Sequence, residues 1–132
     1  GSNSIKAVLP AILNTCDFLK NKYSKPISEI NLTSINFGEE HLWIQIKDQK
    51  VTNPYKLLPP IFNQFSKEEL EHFISGLDTI SDGGAALTAY SKLQFVDMSK
   101  KERDSIKKSL FKYCELDTLA MVMIYEHLKT LV

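Results

Sequence analysis

The chain has only two cysteines in 132 residues, Cys16 and Cys114, far apart and without metal-ligand spacing. That scarcity argues against a disulfide-stapled scaffold and a cysteine zinc site. With no secretion signal, it points to a reducing, cytoplasmic setting. No apolar run reaches the roughly 18 residues needed to span a bilayer, so no membrane partner is expected. Charge of one sign is also missing, with 16 Lys+Arg against 16 Asp+Glu. A domain that grips nucleic acid alone usually carries a basic surplus, because phosphate neutralisation supplies most of the affinity. There is no internal repeat and no low-complexity stretch. His41, His72 and His127 lack zinc spacing and read as surface or boundary residues. Ser91, Ser99 and Cys114 stand in no recognisable nucleophile context.

What is present is ordinary globular patterning, mostly helical. Ser4 precedes IKAVLPAIL, whose apolar spacing is helical, with Pro10 expected to break or restart the helix. Ile12, Leu13, Cys16 and Leu19 continue one stripe, and the helix should end near Tyr23, before Lys25-Pro26. From residue 30 the period changes. HLWIQIK alternates Leu42, Ile44 and Ile46 against Trp43, Gln45 and Lys47, as a half-buried strand does. INLTSINF before it is β-rich, so a hairpin over 30–47 is expected, turning at Gly38-Glu39-Glu40.

Residues 48–65 form a proline-containing loop, held over the core by Leu57 and Leu58, with a short helical turn expected from Ile61. Residues 66–131 read as helical. The SKEE pattern at 66–69 is a capping box opening a helix that Gly76 closes. Asp82 is placed to cap GGAALTAYSKLQF, whose Ala85, Ala86 and Ala89 permit close packing. Ser99 and Glu102 repeat the capping box for a helix running toward Lys112, and 113–131 is helical by composition. The expected fold class is mainly α with a small β-hairpin (α+β), in one domain that is a portion of a longer protein.

Local charge is uneven: residues 97–112 carry six basic and three acidic side chains, residues 66–82 one basic and five acidic. Both read as solvated helix faces, not as a nucleic-acid track. Gly83-Gly84 before a helix reads as helix entry or close packing, with anion binding by the open amides the lesser alternative. Trp43, Tyr55, Phe37 and Phe62 have few basic residues interleaved, Lys47 and Lys56 among them, which favours core and loop packing over a base-stacking platform.

The last helix carries the most chemistry. Leu116, Leu119, Ala120, Met121, Val122, Met123 and Ile124 make it apolar nearly all round, which predicts a central core position. Asp117 lies one turn into it and is costly to bury without a cation, a metal or donors. Tyr113 is one turn before Asp117 on the same face.

YCELDTLAMVMIYEHL, residues 113–128, resembles the third exonuclease motif of the tyrosine-type DEDD 3′–5′ exonucleases, which have a ribonuclease-H-like fold. NSIKAVLPAIL resembles the helix following the second motif in those enzymes. NPYKLLPP and DGGAALTAYSKLQFVDMSKKER look like an uncharacterised bacterial domain family whose longer members carry such a segment at their C-terminus. The resemblance implies two-metal phosphodiester hydrolysis, with Mg²⁺ or Mn²⁺ clamping the attacking and leaving oxygens. It makes Asp117 a metal ligand and Tyr113 the group that orients the attacking water. It also implies nucleic acid and an upstream domain of the same chain as partners.

The pattern is incomplete. The first motif of that family is Asp-x-Glu on a strand, and no Asp-x-Glu occurs in the sequence. One carboxylate cannot hold two metal ions, so this portion alone is expected to be inactive and to bind no metal stably. The alternative is a non-catalytic helical module that supports or docks a neighbouring nuclease domain. If the sheet of such a domain is missing, an apolar face including AMVMI is left open, and a homodimer through it is expected.

Overall fold

A computed structural model describes residues 4–62 and 82–132. They form two compact units: residues 4–59 with 115–132, and residues 60–62 with 82–114. Architecture is mainly helical with one small antiparallel sheet. No described helix is long and apolar enough to cross a membrane. Neither cysteine is in a disulfide; Cys16 is buried and Cys114 exposed.

In the first unit, α1 (Ile5–Thr15) is N-capped by Ser4, whose hydroxyl accepts from the Lys6 amide. Pro10 sits inside α1 without ending it. The break falls at Cys16, in extended conformation, before α2 (Asp17–Tyr23). Side chains fold back onto the last turn of α1: Asn14 Nδ2 donates to the Pro10 carbonyl, and Thr15 Oγ1 lies within reach of the Ala11 and Ile12 carbonyls. The Asn14 carbonyl, which a continuing helix would have used, accepts instead from Lys20 Nζ. Asn14 Oδ1 also accepts from the Val51 amide at 3.0 Å, so one side chain bonds back onto α1 and tethers a strand.

α2 ends at Tyr23, as the approaching Pro26 predicts. A 3₁₀ turn follows over Ile27–Ile30, closed by Asn31 in the left-handed region, which asparagine tolerates better than most residues.

The hairpin does not occupy 30–47. Its strands are β1 (Ile46–Lys47) and β2 (Lys50–Val51), with Ile46 opposite Val51 and Lys47 opposite Lys50. Asp48 and Gln49 between them both have positive φ, the requirement of a type I′ turn. The alternation expected for HLWIQIK is absent: adjacent Trp43 and Ile44 are 2% and 0% exposed, while Ile46 is 54% exposed. The backbone bonds of this segment go elsewhere. The Ile44 amide donates to the Tyr23 carbonyl at the end of α2, and His41 and Glu39 carbonyls accept from Ile27 and Ser28. Residues 39–44 therefore cap a helix end and a 3₁₀ turn, and a chain so engaged has no ladder to offer a second strand.

Beyond β2, Asn53 caps a second 3₁₀ turn (Pro54–Leu57) by accepting from the Tyr55 amide, with Pro54 at its first position. Leu58 packs against the core, as expected for a loop held down.

The second unit holds α3 (Asp82–Phe95) and the first half of α4 (Lys100–Thr130). Ala85 and Ala89 are buried with Phe62 and Ile106. Arg103 Nη1 donates to the Leu93 carbonyl near the C-terminus of α3, a favourable place for a cation. The helix expected from 66–69 and the remainder of the 61–65 turn lie outside the described residues.

The Ser99–Glu102 capping box forms as expected: Ser99 Oγ accepts from the Glu102 amide, and Glu102 Oε2 accepts from the Ser99 amide. No stop signal lies between Lys112 and Tyr113, and the two expected helical stretches are one helix of 31 residues. The last helix is not buried all round. In the first unit, Leu116, Ala120 and Met123 point into a core of Leu9, Leu13, Leu19, Tyr23, Trp43 and Ile44, while Met121 and Tyr125 are exposed.

The relocated hairpin has a measurable consequence. Ile44→Ala should lower unfolding free energy by about 2–5 kcal/mol in urea titration, and Ile46→Ala should change it by less than about 0.5 kcal/mol. Equal costs would restore the alternating strand.

Candidate functional site on the last helix

Tyr113 and Asp117 belong to different environments. Tyr113 packs against the Phe62 cluster of the second unit, with ring centroids 5.7 Å apart. Asp117 lies in the part of α4 that belongs to the first unit, where its Oδ1 accepts from the Tyr55 hydroxyl at 2.7 Å. The Tyr55 ring in turn lies under Lys6, whose Nζ is 5.4 Å from its centroid. The donor that half-buried Asp117 requires is thus a phenol from the 3₁₀ turn after β2. Among the described residues, no group of three or more His, Cys, Asp or Glu is arranged to hold a metal ion.

Two further carboxylates act in the same way, and neither stood out in the sequence. Glu115 Oε1 accepts from Ser34 Oγ and from Asn36 Nδ2, and its Oε2 accepts from the Ile35 amide at 2.7 Å. Glu126 Oε2 accepts from the Tyr23 hydroxyl at 2.8 Å, and its Oε1 pairs with Lys22 Nζ. The available signal was position. Glu115 and Glu126 are three turns apart on the edge of the buried stripe, where a carboxylate has to find donors. Nothing local names those donors.

The face of α4 opposite the core is the other notable surface. Thr118, Met121, Tyr125 and Leu128 follow steps of three, four and three residues, the a/d spacing of a coiled-coil seam. Met121, Tyr125 and Leu128 are 64%, 62% and 54% exposed. Val122 lies beside them, also exposed, and Lys129 Nζ stands 5.7 Å over the Tyr125 ring.

The remaining candidates resolve into structure. Trp43 and Phe62 are both buried, in different units. Phe37 stacks on His41 at 3.6 Å, and Trp43 meets both edge-on. Burial holds the His41 imidazole below its ordinary pKa, and its Nε2 is buried without a hydrogen-bond partner. His127 is partly buried; His72 lies outside the described residues. The Gly84 carbonyl accepts from buried Thr88 Oγ1 within α3, and Ser99 serves as a cap.

Burial, with the Glu126 hydrogen bond and charge, raises the Tyr23 phenol well above its ordinary value. The folded state therefore holds that proton more tightly than the unfolded chain. Its stabilising contribution is complete below the ordinary value of 10.0 and is lost as pH rises above it. His41 works in the opposite sense: its contribution is complete above 6.5 and is lost as pH falls. Urea titrations across pH should show both limbs, the alkaline one flattened in Tyr23→Phe and the acid one reduced in His41→Phe. Separately, Tyr55→Phe should cost about 1–3 kcal/mol by removing the donor to Asp117. Asp117→Asn, which keeps an acceptor oxygen, should cost less in the same titration.

No protein-family model matches this chain, and neither a curated protein nor a solved structure shows significant similarity to it.

Proposed function

We propose that the chain is a non-catalytic helical interaction module whose outer α4 face receives another helix. The observation that carries this is a helix with two apolar faces, only one of which meets the core formed by the described residues. Leu116, Ala120 and Met123 are buried, while the heptad-spaced Met121, Tyr125 and Leu128 stand in solvent. Large apolar side chains grouped on one exposed face mark association surfaces more often than isolated ones do. The seven-residue step selects a helix as the occupant, because knobs at a and d fit holes on a facing helix. The three carboxylates beside the core hold the segments behind α4, so the face is presented on a supported element.

A peptide helix with leucine at successive a and d positions is a suitable probe. It should bind the wild-type chain saturably in fluorescence anisotropy and fail to bind Met121→Glu and Tyr125→Glu, with far-UV circular dichroism unchanged. Binding that survives both substitutions, or none to the wild type, would remove this reading.

A second reading follows the resemblance to tyrosine-type exonucleases. Asp117 is half-buried, not sealed, and its carboxylate keeps acceptor capacity beyond the Tyr55 bond. In a complete site it would contribute one ligand to Mg²⁺ or Mn²⁺, with Tyr113 beside the attacking water and nucleic acid as substrate. The other ligands would come from an upstream domain. Manganese titration followed by NMR tests this: broadening centred on Asp117 supports it, and no response at Asp117 removes it.

A further inference from the structure

We infer that the occupant of the exposed α4 face is a second copy of this chain, bound antiparallel about a two-fold axis that crosses the seam beside Val122. This rests on the docking reading above and names its partner. The seam is self-complementary in that orientation alone. Antiparallel helices place each a position opposite a d position, so Met121 meets Tyr125 of the other copy and Thr118 meets Leu128. Each of these layers sets a different pair of side chains face to face, small Thr118 against larger Leu128. A parallel pair would stack Tyr125 on Tyr125 and Thr118 on Thr118.

The flanking edge makes the same selection through charge. Glu115, Val122 and Lys129 follow one another at seven-residue intervals beside the seam. Reversed, that edge reads Lys129, Val122, Glu115. Antiparallel pairing sets Val122 against Val122 across the two-fold and brings each Glu115 to the other copy's Lys129. In a parallel pair Lys129 would face Ile124, leaving its charge against an apolar side chain, whereas Asp117 meets an apolar side chain in either arrangement, Val122 or Leu131.

Glu115 has charge available for that contact. The donors on its carboxylate, from Ser34, Ile35 and Asn36, are all neutral, and neither described salt bridge includes it. Lys129 is held over Tyr125, on the seam side of its own helix. A two-fold contact of this kind is isologous and closes at a dimer, leaving no open end for further copies.

Sedimentation equilibrium and cysteine cross-linking test the inference together. The wild-type chain should show a concentration-dependent doubling of mass that Tyr125→Glu abolishes. Orientation is read in a Cys114→Ser background, leaving the buried Cys16 in place. Mixed Thr118→Cys and Leu128→Cys chains should give the 118–128 disulfide under mild oxidation, and neither variant should cross-link to itself. Self-linked Thr118→Cys dimers would overturn the antiparallel arrangement. A wild-type monomer at every concentration that still binds the leucine-heptad peptide would overturn the second copy as occupant while sparing the docking surface. A monomer that binds no helix would remove both. Glu115→Lys and Lys129→Glu should each weaken the dimer and restore it when mixed, an outcome that a merely apolar contact would not produce.

Discussion

A carboxylate cannot sit beside an apolar core unless donors come to it, and α4 brings three such groups to the edge of its buried stripe. That requirement organises the first unit. Glu126 collects Lys22 and Tyr23 from the end of α2. Glu115 collects residues 34–36, which have no regular structure of their own. Asp117 collects Tyr55 from the turn after β2. Between these tethers, Leu116, Ala120 and Met123 complete a core whose other walls come from the first 59 residues. Charge-assisted bonds of this kind are stronger than neutral ones, and the cost of removing one partner exceeds the benefit of having made the pair. The polar edge of α4 therefore sets where the segments lie, and the apolar stripe supplies the reason for them to collapse.

On the same helix the proposed association face and the proposed metal ligand differ in what surrounds them. Asp117, the residue with the strongest sequence claim to catalysis, spends one oxygen on a structural bond to Tyr55. Tyr113, its expected colleague, is packed among apolar side chains of the other unit. By contrast, the face through Met121, Tyr125 and Leu128 supports nothing inside the described chain, although its residue types are costly to leave in water. Apolar surface without an internal partner is the stronger physical statement of the two.

Legibility in the sequence followed distance along the chain. The Ser99–Glu102 capping box, the end of α2 before Pro26 and the helical nature of residues 100–130 depend on neighbours within a turn or two, and each formed as read. The hairpin was misplaced because HLWIQIK alternates perfectly well, but its amides and carbonyls were claimed by Tyr23, Ile27 and Ser28. Only the Asp48-Gln49 turn, which lacks the usual glycine, shows where the chain reverses. At the site, the need of Asp117 for a donor was legible; Tyr55, 62 residues earlier, was not. The two faces of α4 were legible together as a helix apolar all round. Which face turns inward depends on the carboxylates finding their donors, and that information lies in other segments.

The way the first unit borrows its final wall has a consequence for synthesis. Its helices α1 and α2, its hairpin and its 3₁₀ turns leave the ribosome well before α4 does, yet the apolar stripe that closes their core lies at residues 116–123. Until α4 arrives, Leu9, Leu13, Trp43 and Ile44 face a gap, and the residues of the second unit must be made in between. Closing a loop of that length pays its entropy before any contact repays it. The segments of this unit that are translated before α4 are thus among the last to finish folding, and during that interval their open core is exposed to chaperones and to misassembly.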